Sequence, residues 1–314
     1  MQPHLLPQDS KISQPMDRII NQVSQIILGK DRQIRLALAC LLARGHLLIE
    51  DLPGVGKTTL AHALARSLGL DFHRIQFTSD MLPADILGVS IFDRDTGAFK
   101  FHPGPVFAQV VLADEINRAT PKTQSALLEA MEEHQATTEG ETRLLPEPFF
   151  VIATQNPSHL VGTFPLPESQ LDRFLMRIKL GYPDKQAERA LLKGSERRDM
   201  ITHLTPCVNV AELLELQQKV RAVHASDALT DYLQALINHT RQSPLFVTGL
   251  SPRAGLALLH SARAWALMHG RHQVLPEDVQ TVLPSVAGHR LHPAVEHARG
   301  KDLAESLIAA VAIP

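Results

Sequence analysis

Neither disulfides nor a metal framework hold this chain together. Among 314 residues there are only two cysteines, Cys40 and Cys207, far apart and without CxxC or Cys/His ligand spacing. Both stand among apolar neighbours and read as buried thiols, which fits a reducing cytosol. Charge is balanced as well: 31 basic against 33 acidic residues give a net −2, so no global basic field recruits nucleic acid or anionic lipid. No hydrophobic run is long enough to cross a membrane. The longest near the front, Leu36 to Ala43, is bracketed by Arg35 and Arg44 and falls far short of the ~20 residues a span needs. Met1 to Pro15 is polar, holds three prolines and lacks the basic-then-apolar pattern of a signal peptide. It is expected to be a disordered arm, and the protein is expected in the cytoplasm. Internal repeats and low-complexity tracts are missing too. What is present is 44% hydrophobic residues, enough to bury a core in a chain whose length suggests about two domains.

Short apolar segments alternate with helical patterns over the first half. A helix is expected over 31–44, closed by Gly45, then a strand over 46–50, a glycine-rich loop and a helix over 57–68. Further strands are expected at 72–77, 109–113, 149–153 and 174–180, with a helix over 122–133 carrying Leu127, Leu128 and Met131 on one face. Buried strands alternating with helices call for a parallel sheet covered on both faces. Two β-hairpins interrupt that plan, one turning at Asp93–Gly97 and one at Glu139-Gly140. After Tyr182-Pro183 only helical patterns remain, at 185–198, 210–223, 230–242, 252–269 and 276–283. The expected domains are an α/β core over 16–183 and an all-α domain over 184–314.

The loop between the first strand and its helix reads Pro53-Gly54-Val55-Gly56-Lys57-Thr58. Glycines there let the backbone N–H groups curl toward phosphate oxygens, helped by the positive end of the following helix. Lys57 would reach the β- and γ-phosphates and the Thr58 hydroxyl would bind Mg²⁺. Asp51 stands where the strict pattern has its first glycine, and aspartate is among the few residues that tolerate a left-handed turn. Asp114-Glu115 closes a central strand, where acids face the phosphate loop. Asp114 would hold Mg²⁺ through water and Glu115 would polarise the attacking water. Asn156, after the strand at 149–153, could orient that water, though Asn before Pro is also an ordinary turn residue. Arg173 and Arg253 are candidate cations. Ser251 as N-cap and Pro252 at the first helical position put Arg253 in a first helical turn; a lone arginine is otherwise a surface residue.

In this order the motifs resemble the AAA+ ATPases and, more closely, the MoxR family. Glu50-Asp-Leu-Pro-Gly-Val-Gly-Lys-Thr-Thr-Leu60 is similar to its Walker A, including the Asp at the first-glycine position. Ala113-Asp-Glu-Ile-Asn-Arg-Ala119 with Pro121 to Glu133 resembles its Walker B region, Ile152–Pro157 its sensor 1, Leu171–Phe174 its arginine-finger segment and Ser251–Ala254 its sensor 2. The likeness spans about 26–287. It implies a P-loop core with strand order 5-1-4-3-2, both hairpins as inserts, and a helical lid. It implies that Ile27 and Gly29 border the adenine, that residues 53–59, Thr59 included, hold the phosphates with Asp114 and Arg253, and that Glu115, Lys57, Asn156, Arg173 and Arg253 serve ATP hydrolysis with Mg²⁺. Arg173 would act in trans, which implies a homo-oligomeric ring, usually of six, and Arg118 is a further interface candidate. The family implies a chaperone-like remodelling or maturation ATPase working beside a von Willebrand factor A domain protein on a protein client.

Two other classes remain open from the residues. A nucleic-acid-remodelling motor would want a basic hairpin, yet Thr137–Thr142 carries acids and no Lys or Arg cluster. A nucleotide-dependent switch or scaffold would need a missing base or finger. Of the 16 histidines, His260, His269, His272, His289, His292 and His297 crowd the C-terminal part without paired acids or cysteines, and read as surface or capping groups rather than metal ligands.

Overall fold

In a computed structural model the described residues are 9–156, 162–194, 197–294 and 303–313, with the side chains of 197 and 198 excepted. The first half runs α1 (Ser10–Ile26), α2 (Asp31–Leu42), β1 (Leu47–Glu50), α3 (Lys57–Ser67), β2 (Phe72–Gln76), α4 (Pro83–Leu87), β3 (Gly88–Asp93), β4 (Ala98–Pro103) and β5 (Val110–Asp114). It continues with α5 (Pro121–Glu133), β6 (Gln135–Thr138), β7 (Glu141–Leu144), β8 (Phe150–Gln155), α6 (Glu168–Leu171) and β9 (Met176–Ile178). Helices alone follow: α7 (Lys185–Lys193), α8 (Arg197–Thr202), α9 (Val210–Ala222), α10 (Asp227–Gln242), α11 (Pro252–Met268), α12 (Pro276–Ala287) and α13 (Leu303–Ala310).

Five strands form one parallel sheet in the order β2-β5-β8-β1-β9, while β3-β4 and β6-β7 pair as separate antiparallel hairpins. Counted among the five alone, that order is 5-1-4-3-2, the AAA+ arrangement. Strand side chains alternate between two cores, as a period of two requires. Leu47, Ile49, Val110, Leu112 and Ile152 join α1, α2 and α3 on one face. Leu48, Val111, Ala113, Val151 and Ala153 meet Leu127, Leu128 and Met131 of α5 on the other.

Residues 9–15, expected to be disordered, are not. Asp9 caps α1 by accepting from the Lys11 N–H, and Pro15 sits inside the helix. Met16, Ile19, Ile20, Val23 and Ile26 follow at helical spacing and are buried, and their burial outweighs the one backbone bond that Pro15 removes. Residues 1–8 of that arm lie outside the described residues. The helix expected over 185–198 is broken: α7 ends at Lys193, with Gly194 as its extended cap, and α8 starts anew at Arg197. The helix expected to stop at Leu283 runs through Pro284 to Ala287.

The helical half has no core of its own. Leu216, Leu258, Leu267 and Val282 belong to the same apolar cluster as α1, α2 and α3. Helix α11 packs on α12, α9, α2 and α1, and α12 packs on β9. The lid helices therefore lie behind the sheet, along its β9 side. Among the described residues no helix is long and apolar enough to cross a membrane.

Candidate nucleotide site

The loop after β1 is shaped by two left-handed glycines, Gly54 at φ 84° and Gly56 at φ 97°. A side chain at either position would be strained. Gly56 caps α3, so Lys57, Thr58 and Thr59 form its first turn, and the orphan N–H groups there face the loop. Pro53 and Gly54 are exposed, and Val55 packs against the first core. The buried Lys57 ammonium donates to the carbonyls of Asp51 (2.6 Å) and Leu52 (3.1 Å) and to Asn156 Oδ1 (2.9 Å). Burial pushes its pKa down, against the pull of Asp51, Asp114 and Glu115.

Asp51 fills the first-glycine position without the left-handed turn expected of it. Its carboxylate bridges instead, accepting from the N–H of Leu52 (2.8 Å) and of Gly181 (2.6 Å). A glycine there could make neither bond. The loop is thus tied to the segment after β9. Lys30 reaches the same segment through the Tyr182 carbonyl (2.7 Å). Gly29, left-handed at φ 68°, lies against Asp184, the cap of α7. Ile27 Cδ1 lies 3.8 Å from where a Gly56 Cβ would stand. Ile27 therefore offers an apolar wall beside the phosphate loop, whereas Gly29 faces Asp184 and Ala187 at the start of α7.

Asp114 is the last residue of β5, and Glu115 turns left-handed at φ 57°. A glutamate held so is strained, and such strain clusters at functional sites. Thr154 of β8 holds both acids: its hydroxyl donates to Asp114 Oδ1 (2.6 Å) and accepts from the Glu115 N–H (2.9 Å). Asn156 spans the site. Its Oδ1 faces Lys57 while its Nδ2 donates to Glu115 Oε1 (2.9 Å). That double role fixes the amide orientation from the network alone. Arg118 and Gln76 donate to Glu115 Oε2 at 3.0 and 3.3 Å. The Thr58 hydroxyl stands 3.4 Å from Asp114 Oδ2. One hydroxyl and one carboxylate beside a phosphate loop are the hard oxygen donors that Mg²⁺ takes, with water and substrate completing its shell, so the residues fit that ion.

Arg173 and Arg253 are not part of this constellation. Arg173 precedes β9, whose Met176 pairs with Leu47 at the start of β1, whereas the phosphate loop follows the end of β1. The Arg173 Nε donates to Glu132 at 2.9 Å, and Arg253 pairs with the same Glu132. A cavity of about 260 Å³ there is lined by Arg173, Arg253, Glu132, Asp172 and His46. Arg253 was expected to touch the chain's own phosphates. Its helix α11 packs against α2 and α9, which carries it to the opposite end of the sheet.

The residues 46–176 match the family model described as "ATPase family associated with various cellular activities (AAA)", and residues 238–308 match "AAA lid domain". The chain is 45% identical to the Bacillus subtilis protein YeaC, with 95% of each chain covered. It is 41% identical to "Chaperone MoxR1" of Mycobacterium tuberculosis, over 88% of this chain and 75% of that one. A crystal structure of a candidate ATPase from Cytophaga hutchinsonii superposes with a TM-score of 0.88 at 35% identity, covering 97% and 96% of the two chains. The chain belongs to the MoxR family of AAA+ ATPases.

In this MoxR chain four contributors escaped the sequence. Arg74 donates to Asp114 Oδ2 through two nitrogens, at 3.0 and 2.7 Å, and to Gln76 Oε1 at 2.6 Å. Arg74 and Gln76 stand two apart on the edge strand β2, hence on one face, and that spacing was the available signal. Thr154 lay in plain view within β8, but only the strand pairing shows which acids it meets. Glu132 carried no signal, because its partners come from remote segments.

Proposed function

We propose that this MoxR protein hydrolyses ATP in a homo-oligomeric ring, with each subunit lending arginines to its neighbour's nucleotide. The carrying observation is the Asn156 amide, which joins Lys57 to Glu115 at the carboxyl edge of the sheet. In this reading the loop 53–59 binds the triphosphate through backbone N–H groups, and Lys57 exchanges its carbonyl partners for the β- and γ-oxygens. Glu115 orients the attacking water and takes its proton, with Asn156 fixing the carboxylate. Mg²⁺, held by Thr58 and by Asp114 through water, would neutralise charge on the phosphates. Ile27 and Gly29 would border the adenine.

Two positive groups at the far end of the sheet are poorly placed for the chain's own ATP and well placed for a neighbour's. Arg173, and Arg253 with it, are therefore assigned in trans, where an arginine finger is worth ~10³-fold or more in rate. A ring of six, work beside a von Willebrand factor A domain partner, and remodelling or maturation of a protein client extend this reading by family likeness. The free thiols, Cys40 buried and Cys207 half-buried, support a cytoplasmic setting. The acidic turn Glu139–Glu141 gives the nucleic-acid alternative no support.

The test is ATPase rate against protein concentration for wild type and Arg173→Ala, with mass by light scattering plus and minus ATP. Specific activity should rise with a ring-sized species, and Arg173→Ala should abolish it while ATP still binds. Flat activity and a silent Arg173→Ala would sink the ring mechanism.

A further inference from the structure

We infer that Glu132 is a positioning residue that holds Arg173 and Arg253 as one outgoing pair, and that α5 ties this pair to the chain's own catalytic loop. The inference rests on the trans reading above. Glu132 divides its carboxylate between them: Oε2 accepts from Arg173 Nε at 2.9 Å, and Oε1 accepts from an Arg253 terminal nitrogen. Among the described residues Arg173 is held only at Nε, which leaves both terminal nitrogens for another acceptor. A bidentate guanidinium suits phosphate oxygens in that orientation.

The second brace is Asp172, 4.0 Å from Arg253. It cannot follow the arginines elsewhere, because the buried Arg290 donates to its carboxylate (2.6 Å) and to its carbonyl (3.0 Å). Three guanidinium groups thus face two carboxylates. Asp172 is fixed by the lid, while Glu132 moves only as α5 moves.

At its other end α5 grows from the catalytic loop. Thr120 caps it directly after Glu115–Arg118. On its first turns the Gln124 amide donates to the carbonyls of Ile116 (3.2 Å), Ala119 (3.1 Å) and Phe164 (2.9 Å). At the far end His46 donates to the Met131 carbonyl (3.1 Å), one residue before Glu132. The 13 residues of α5, at 1.5 Å each, make a rod about 20 Å long. A shift of the loop that carries Glu115 is therefore delivered to Glu132.

The experiment mixes two chains. Lys57→Ala keeps its arginines and loses its nucleotide; Arg173→Ala keeps its nucleotide and offers no finger. Mixed, they regain ATPase only where the first chain's arginines meet the second chain's ATP. Glu132→Gln is then added to one chain or the other. In the Lys57→Ala chain it should cut the regained kcat by about tenfold or more at unchanged KM, the scale of a misplaced catalytic group. In the Arg173→Ala chain it should leave the rate intact. Glu132→Asp in the first chain should lie between, since it keeps the charge on a shorter arm. Equal losses in both placements, or no loss in either, overturn the inference. No regained rate before Glu132 is touched overturns the trans reading beneath it instead.

Discussion

His46 offers a prediction whose size follows from its surroundings. Its ring is buried between the start of β1 and the end of α5. Nδ1 accepts from the Val151 N–H (3.0 Å) and Nε2–H donates to the Met131 carbonyl. Phe149 and His134 flank it at ring centroid distances of 5.7 and 6.3 Å. Both nitrogens are committed to the neutral tautomer, so a second proton must displace Val151. Burial first, with His134 adding, pushes the pKa from 6.5 down to about 4. Above pH 6.5 the folded and unfolded states are both neutral here, and stability does not depend on this group. Between 6.5 and 4 the unfolded chain takes a proton that the folded one refuses, so stability falls with pH. Each pH unit in that window is worth about 1.4 kcal/mol, giving a loss of about 2 kcal/mol by pH 5. Urea unfolding of wild type and His46→Gln at pH 7.5, 6 and 5 measures it. The buried His289, also pushed down, adds a slope of the same sign to both proteins, so the difference between them isolates His46. The variant should be weaker at pH 7.5 and show the shallower decline. Parallel declines would refute the assignment.

Lys57→Ala should abolish ATP binding in a calorimetric or fluorescent-nucleotide titration, whereas Glu115→Gln should bind ATP and lose at least ~10²-fold in turnover; a wild-type rate would remove Glu115 from its role. Asn156→Ala deletes the bridge between them and should lower kcat by about 10- to 100-fold with a smaller change in KM, and a change confined to KM would make it a binding group only. Arg74→Ala frees Asp114 Oδ2 from a guanidinium, so the Mg²⁺ concentration at half-maximal nucleotide binding should fall; an unchanged midpoint would show that the pair does not compete with the ion.

The parallel sheet, both hairpins and the phosphate loop were legible because each rests on local chemistry: apolar runs, turn residues, glycines beside Lys57. Helix α1 was not, though Met16, Ile19, Ile20, Val23 and Ile26 mark its face. The prolines of the first 15 residues suggested disorder, and only tertiary burial decides against them. Pro284 misled in the same way at the end of α12. Asp51 was legible as a substitute for glycine but not as a bridge, because Gly181 comes near only once β9 has docked beside β1. Arg253 was legible as the first turn of a helix and misplaced in space. Where a helix start points depends on what the helix packs against, and α11 packs behind the sheet.

On the trans reading proposed above, the separation of the phosphate loop from Arg173 by the length of β1 would also set an arithmetic of assembly. With a donor end and an acceptor end on every copy, an open arc of n copies completes only n − 1 sites. The first acceptor and the last donor stay idle until the arc closes on itself. Closure then adds one working site without adding a subunit, and a fragment that cannot close retains an idle end however long it grows.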